Sequence, residues 1–142
     1  MIIIRVDNYY NHLVKNPDCS PDCLIIQRCD VMEYNIYIVE LRNINSPDGF
    51  KINEIVGKFI TCLDDFMSIR FANYFHNTMF SLKNINLLFI TDPYGFKSNP
   101  NKQNKMHGHK LDALMAQRIP KYFNKHLYIQ PRLPNPTIKK CL

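Results

Sequence analysis

A chain of 142 residues, 46% hydrophobic, 21% charged and 12% aromatic, has the composition of one globular domain with a sizeable core, which excludes a modular assembly and a disordered polymer. Its net charge of +6 is unevenly spread: residues 93–142 hold ten Lys and Arg against the single acid Asp112, whereas residues 1–92 are net acidic. No apolar run approaches the ~20 residues of a membrane helix, and Met1–Val6 runs directly into Asp7 rather than into a signal core, so a soluble, cytoplasmic protein without a membrane partner is expected.

Met1–Val6 reads as a short strand, and Asp7 can cap a short helix over residues 8–14 that Pro17 and Pro21 end. Five cysteines cannot all pair, so reduced thiols are expected. Cys19 and Cys23 lie in a turn-rich segment that could bring two thiolates to a structural Zn²⁺, with Cys29 as a third ligand; small buried or loop cysteines are the stronger reading. Residues 24–32 and 36–44 are rich in β-branched and apolar side chains, and only Glu33-Tyr34-Asn35 separates them, which predicts a β-hairpin. After the break at 45–49, Ile52, Ile55, Val56, Phe59, Ile60, Leu63, Phe66 and Met67 recur at helical spacing, predicting one helix over about 50–70 that residues 71–80 continue. Residues 85–91 read as a buried strand, giving a βαβ crossover, and residues 94–109 form a long basic loop. A helix over 111–119, a last strand over 126–130 and a proline-kept extended tail over 131–142 complete a single domain.

Alternation along a strand puts Glu40 and Arg42 on one face. With 33–35 as the loop, position 28 lies opposite 40 and 30 opposite 38, so Arg28, Asp30, Glu40 and Arg42 share that face and the two carboxylates become diagonal neighbours able to share a divalent cation. The competing reading is that the two arginines neutralise the two acids as cross-strand ion pairs.

A helix, a hairpin carrying Asp30 and then Glu40-Leu41-Arg42, a long amphipathic helix and a buried strand together resemble the core of the PD-(D/E)xK nuclease superfamily, over roughly residues 7–91. The resemblance implies an α/β, restriction-endonuclease-like fold: a central mixed sheet with a hairpin, flanked by helices. It also implies Mg²⁺- or Mn²⁺-dependent hydrolysis of phosphodiester bonds, an endonuclease acting on DNA rather than RNA, with a homodimer as the assembly. Asp30 and Glu40 would be metal ligands, and Arg42 would stand in the catalytic lysine's place. Arginine stays protonated and is a poor proton acceptor. Lys58 could substitute for it if it points back at the site, although its spacing suggests the solvated side of the helix. The Pro17-Asp18 and Pro21-Asp22 pairs read as turn chemistry.

Lys97, Lys102, Lys105 and Lys110, with the ring of Tyr94 or Phe96, are candidate contacts to a nucleic-acid backbone and an unstacked base. His107-Gly108-His109 and Asp64-Asp65 read as incidental loop and solvated-helix residues. Two alternatives stay open. One is a non-catalytic relative of the same fold that binds nucleic acid or protein; the other is an α/β interaction domain in which the hairpin charges are ion pairs.

Overall fold

The computed structural model describes residues 1–44, 49–92 and 109–141. Its strands are β1 (Ile2–Arg5), β2 (Cys23–Arg28), β3 (Glu33–Leu41), β4 (Ser81–Ile90), β5 (Ile119–Tyr122), β6 (Lys125–Leu127) and β7 (Ile129–Arg132), and its helices are α1 (Val6–Leu13), α2 (Ile52–Ile60), α3 (Ala72–Phe75) and α4 (His109–Met115). Five strands make one mixed sheet in the order β1-β2-β3-β4-β7: the first two pairings are antiparallel, and β3/β4 and β4/β7 are parallel. This is the expected mixed α/β architecture, a central sheet flanked by helices. Among the described residues no helix is long and apolar enough to cross a membrane.

β3 is the middle strand, paired on both sides. Its Ile36 and Ile38 are fully buried, as are Leu87 and Phe89 on β4, and they meet Ile55, Phe59, Cys62 and Met67 from the helical layer. The long apolar stripe is one continuous helical rod, as expected, but its winding changes. Residues 61–70 form a π-helix, in which Phe71 N donates to Phe66 O at 3.0 Å and Ser68 Oγ donates to Leu63 O at 2.6 Å, both five residues back. The wider turn brings residues five apart onto one side. Phe66 and Phe71 accordingly pack with ring centroids 4.6 Å apart, and Arg70 meets Asp65, which also accepts a 2.6 Å bond from the buried Tyr10 hydroxyl of α1. That bond and burial push the Tyr10 hydroxyl pKa upward, burial being the larger cause.

The hairpin register differs from the expected one. Cys23 pairs with Val39 and Arg28 with Tyr34, so the connection is Cys29–Met32, where the amides of Cys29 and Asp30 both donate to Glu33 O. Glu33-Tyr34-Asn35 belongs to β3 instead, because the polar Asn35 is buried with partners: its amide donates to Gln27 Oε1 at 3.3 Å and to Cys141 Sγ at 3.2 Å. Two further elements depart from the sequence reading. β5 and β6 close through Phe123-Asn124, both at positive φ (46° and 60°), the geometry of a type I′ turn without its usual glycine. Pro131 lies inside β7 rather than in an extended tail, opposite Phe89; an edge strand accommodates a residue with no N–H to donate.

The thiols are not all free. The tail folds back over β2, where Gln27 Nε2 donates to Lys139 O at 2.8 Å, and Cys141 is disulfide-bonded to Cys29 across 112 residues of sequence. Cys29 is thereby committed away from Cys19 and Cys23, which are free. Closing a loop of that length removes much denatured-state entropy. Unreduced, denatured protein is expected to show three titratable thiols and reduced protein five. Cys141→Ser should lower unfolding free energy by roughly 2–4 kcal/mol in denaturant melts; five thiols without reductant would refute the tether.

Candidate functional site

The carboxyl ends of β3 and β4 lie side by side because the two strands are parallel, and the crevice beyond such ends is where open α/β sheets place their sites. Glu40 sits there on β3, facing the helical layer with Ile36 and Ile38, and is 1% exposed. A lone carboxylate at such depth is costly unless paired. Its partner is Lys58 on α2, whose Nζ donates to Glu40 Oε1 at 2.7 Å. Glu54, one turn earlier on α2, accepts a 2.6 Å bond from Arg42 Nη2. One turn of α2 thus presents an acid and a base to the end of β3, matched to a base and an acid there. The bond from Arg42 holds the Glu54 carboxyl below its ordinary range.

Glu40 is left half satisfied. Among the described residues its Oε2 is buried without a hydrogen-bond partner, and so is Thr91 Oγ1 just past the end of β4. Thr91 lies two residues beyond Phe89, the register partner of Glu40, so both side chains project from the same face. Burial pushes the Glu40 carboxyl up to about 7; Lys58 and Arg42 oppose that rise, and the negative charge of Asp22 adds to it. Asp22 immediately precedes β2, and extending the register places it across from Glu40. One oxygen of Asp22 accepts the Leu41 amide at 2.6 Å.

The expected pair of Asp30 and Glu40 does not form. Asp30 lies in the hairpin connection, where its Oδ1 accepts the Val31 amide at 2.7 Å and its backbone carbonyl accepts Arg28 Nε. Position 22, not 30, faces Glu40, and six residues of strand put Arg28 roughly 20 Å further along β2. The reason is the register set by the buried Asn35. The expected cross-strand pairs of Arg28 with these acids are also absent among the described ion pairs, and Arg42 is paired to the helix rather than across the hairpin. Lys58 points back at the sheet. Lys110, expected on nucleic acid, donates to Phe50 O at 2.9 Å and lies over the Phe50 ring. Lys97, Lys102 and Lys105 lie outside the described residues, as do most of the 94–109 loop and the His107-Gly108 pair.

Sequence reasoning passed over Asp22. The signal was present: an acid directly before an apolar strand whose hairpin partner ends in Glu40-Leu41-Arg42. Among the described residues no cluster of three or more His, Cys, Asp or Glu side chains could hold a metal ion. Mg²⁺ is commonly held by one or two carboxylates with water completing its shell. The donors here, a carboxylate oxygen of Asp22 and the Oε2 of Glu40, which has no partner among the described residues, are hard oxygens that fit that demand. The chain matches no protein-family model, no curated protein and no solved structure.

Folded Glu40 keeps its proton to about pH 7, whereas an unhindered carboxyl loses it near 4.5. Folding therefore takes up a proton between these values, and the associated stability is complete below pH 4.5 and is lost as pH rises through 7. In thermal melts in EDTA, wild type should lose roughly 3 kcal/mol relative to Glu40→Gln between pH 4.5 and pH 8. Parallel pH profiles for the two proteins would contradict this.

Proposed function

We propose that this chain is a metal-dependent phosphodiester hydrolase with a restriction-endonuclease-like core, acting on DNA, in which Asp22 and Glu40 hold Mg²⁺ or Mn²⁺ and Lys58 takes the role expected of Arg42. The observation that carries this reading is the buried Glu40: one oxygen receives Lys58 and the other has no hydrogen-bond partner among the described residues. A fully structural ion pair gains from satisfying both oxygens, and a half-satisfied buried carboxylate is costly. The same reading accounts for Asp22, just before β2, lying across from Glu40 at the end of β3, in the place that the resemblance gives to Asp30. It replaces Asp30 with Asp22.

A bound divalent cation would polarise the phosphodiester and make a water acidic enough to attack at neutral pH. Binding it requires Glu40 to release its proton, which a carboxyl poised near 7 does at little cost. Lys58 holds Oε1 and aims a cation toward the same crevice, where it can orient the attacking water or the phosphate oxygens. Arg42, locked onto Glu54, is fixed at the rim and suited to holding a phosphate rather than moving a proton. The lysines at 97, 102 and 105 would follow the DNA backbone without reading its sequence.

The test is cleavage of supercoiled plasmid, linear duplex, single-stranded DNA and RNA in Mg²⁺ or Mn²⁺. Cleavage should vanish in EDTA and fall at least about a hundredfold in Asp22→Asn, Glu40→Gln and Lys58→Met, while Asp30→Asn keeps wild-type rates. Cleavage that survives Glu40→Gln overturns the site. Salt-sensitive binding with no cleavage would instead indicate the non-catalytic relative, to which the closed Arg42–Glu54 pair is equally suited.

A further inference from the structure

At the other end of the same sheet face, away from Glu40, lies a cavity of about 680 Å³, within the range that holds a small-molecule ligand. Its floor is Ile2, Ile4 and Ile26 of β1 and β2; its walls are aromatic side chains of the helical layer and its exit, among them Phe66, Phe71 and Phe75. These residues form it because β1 and β2 extend beyond the helical layer. α1 lies against the π-helix, with the Tyr9 ring 5.4 Å from Phe66 and 5.2 Å from Phe71, and α3 is too short to cover the strands. Two charged side chains line the cavity, Arg28 and Glu33. Glu33 has Lys83 at 3.8 Å. Arg28 uses Nε on the Asp30 carbonyl, and its two terminal nitrogens have no protein partner among the described residues.

We propose that this cavity binds a single-chain aliphatic carboxylate, with the hydrocarbon among Ile26, Phe66, Phe71 and Phe75 and the carboxylate on the free fork of Arg28. The lining decides the class of ligand. The Tyr34 and Tyr74 side chains add hydroxyls to a lining that is otherwise mostly carbon, too few to pair the several ring nitrogens or hydroxyls of a nucleobase or sugar, and each group left unpaired carries its full desolvation penalty. An alkyl chain has no such groups, and a planar carboxylate matches the geometry of guanidinium. The cavity is separate from the proposed hydrolytic site and does not depend on it.

The chain contains no tryptophan, so Val31→Trp, at an exposed lining position in the hairpin connection, supplies a sole reporter of occupancy. Titrated with dodecanoate below its micellar concentration, this variant should show a saturable one-to-one fluorescence change. Octanoate should bind at least a hundredfold more weakly, since each buried methylene contributes about fourfold. Calorimetry on otherwise wild-type protein should reproduce the dodecanoate affinity, and Arg28→Gln should weaken it about tenfold with an unchanged melting temperature. Dodecanol binding as tightly as dodecanoate and indifferent to Arg28→Gln would overturn the carboxylate assignment. Sedimentation showing a dimer that dissociates in Val31→Trp would overturn the ligand site altogether, assigning the apolar walls to a second copy. Absence of saturable binding in both formats would also overturn it.

Discussion

The register of β3 is the constraint on which the other elements depend. The strand is bonded along nearly its full length to β2 on one side and β4 on the other, so it cannot slip without breaking two ladders. A slip of one residue would also turn Tyr34, Ile36, Ile38 and Glu40 away from the helices. Because β3 is fixed, the crossover through α2 must return to a strand parallel to it, and the carboxyl ends of both strands come together at one end of the domain. Glu40 is buried by that geometry rather than by any local preference of its own. The turn of α2 bearing Glu54 and Lys58 reads as the answer to it: a buried acid demands a base, and four residues back the same helix supplies the acid that Arg42 needs.

The sheet face beneath the helices is therefore polarised in its chemistry. At the Glu40 end it carries charges that neutralise one another incompletely, leaving oxygen atoms without donors among the described residues. At the Arg28 end it carries carbon surface that the helices do not reach. The π-helical winding between them contributes to both. By aligning residues five apart it anchors Asp65 against α1 and stacks Phe66 against Phe71. An ordinary α-helical continuation would set those pairs on different sides of the rod.

Much of this was legible in the residues. The apolar stripe from Ile52 to Met67, the crossover into 85–91 and the mixed α/β class follow from periodicity, which reflects burial directly. The register was not legible, because the hairpin connection contains no glycine or proline and carries the apolar Val31 and Met32, while the true strand begins with three residues that look like a turn. Asn35 sits in the sheet with its side-chain amide donating to Gln27 and to the distant Cys141, a long-range fact that no local pattern contains. The misplaced connection carried Asp30 into the site and kept Asp22 out. The direction of Lys58 is undecided in the sequence for a related reason: it flanks the buried stripe of α2, and its long side chain reaches inward to the buried Glu40. The disulfide lies at the same level of non-locality.

The two edges of the sheet differ in what they can accept. In β7 the Arg132 carbonyl turns inward to the Thr91 amide, so the neighbouring Pro131 faces outward, and the outer edge lacks a donor at that point. β1 has no such interruption, and its Ile2 and Ile3 are 59% and 57% exposed. Stacking β1 of one molecule on β7 of the next would propagate without limit, but the proline disfavours it. Pairing β1 with another β1 uses up both open edges at once. Were two copies to meet edge to edge, this arrangement would favour a closed pair over a fibre.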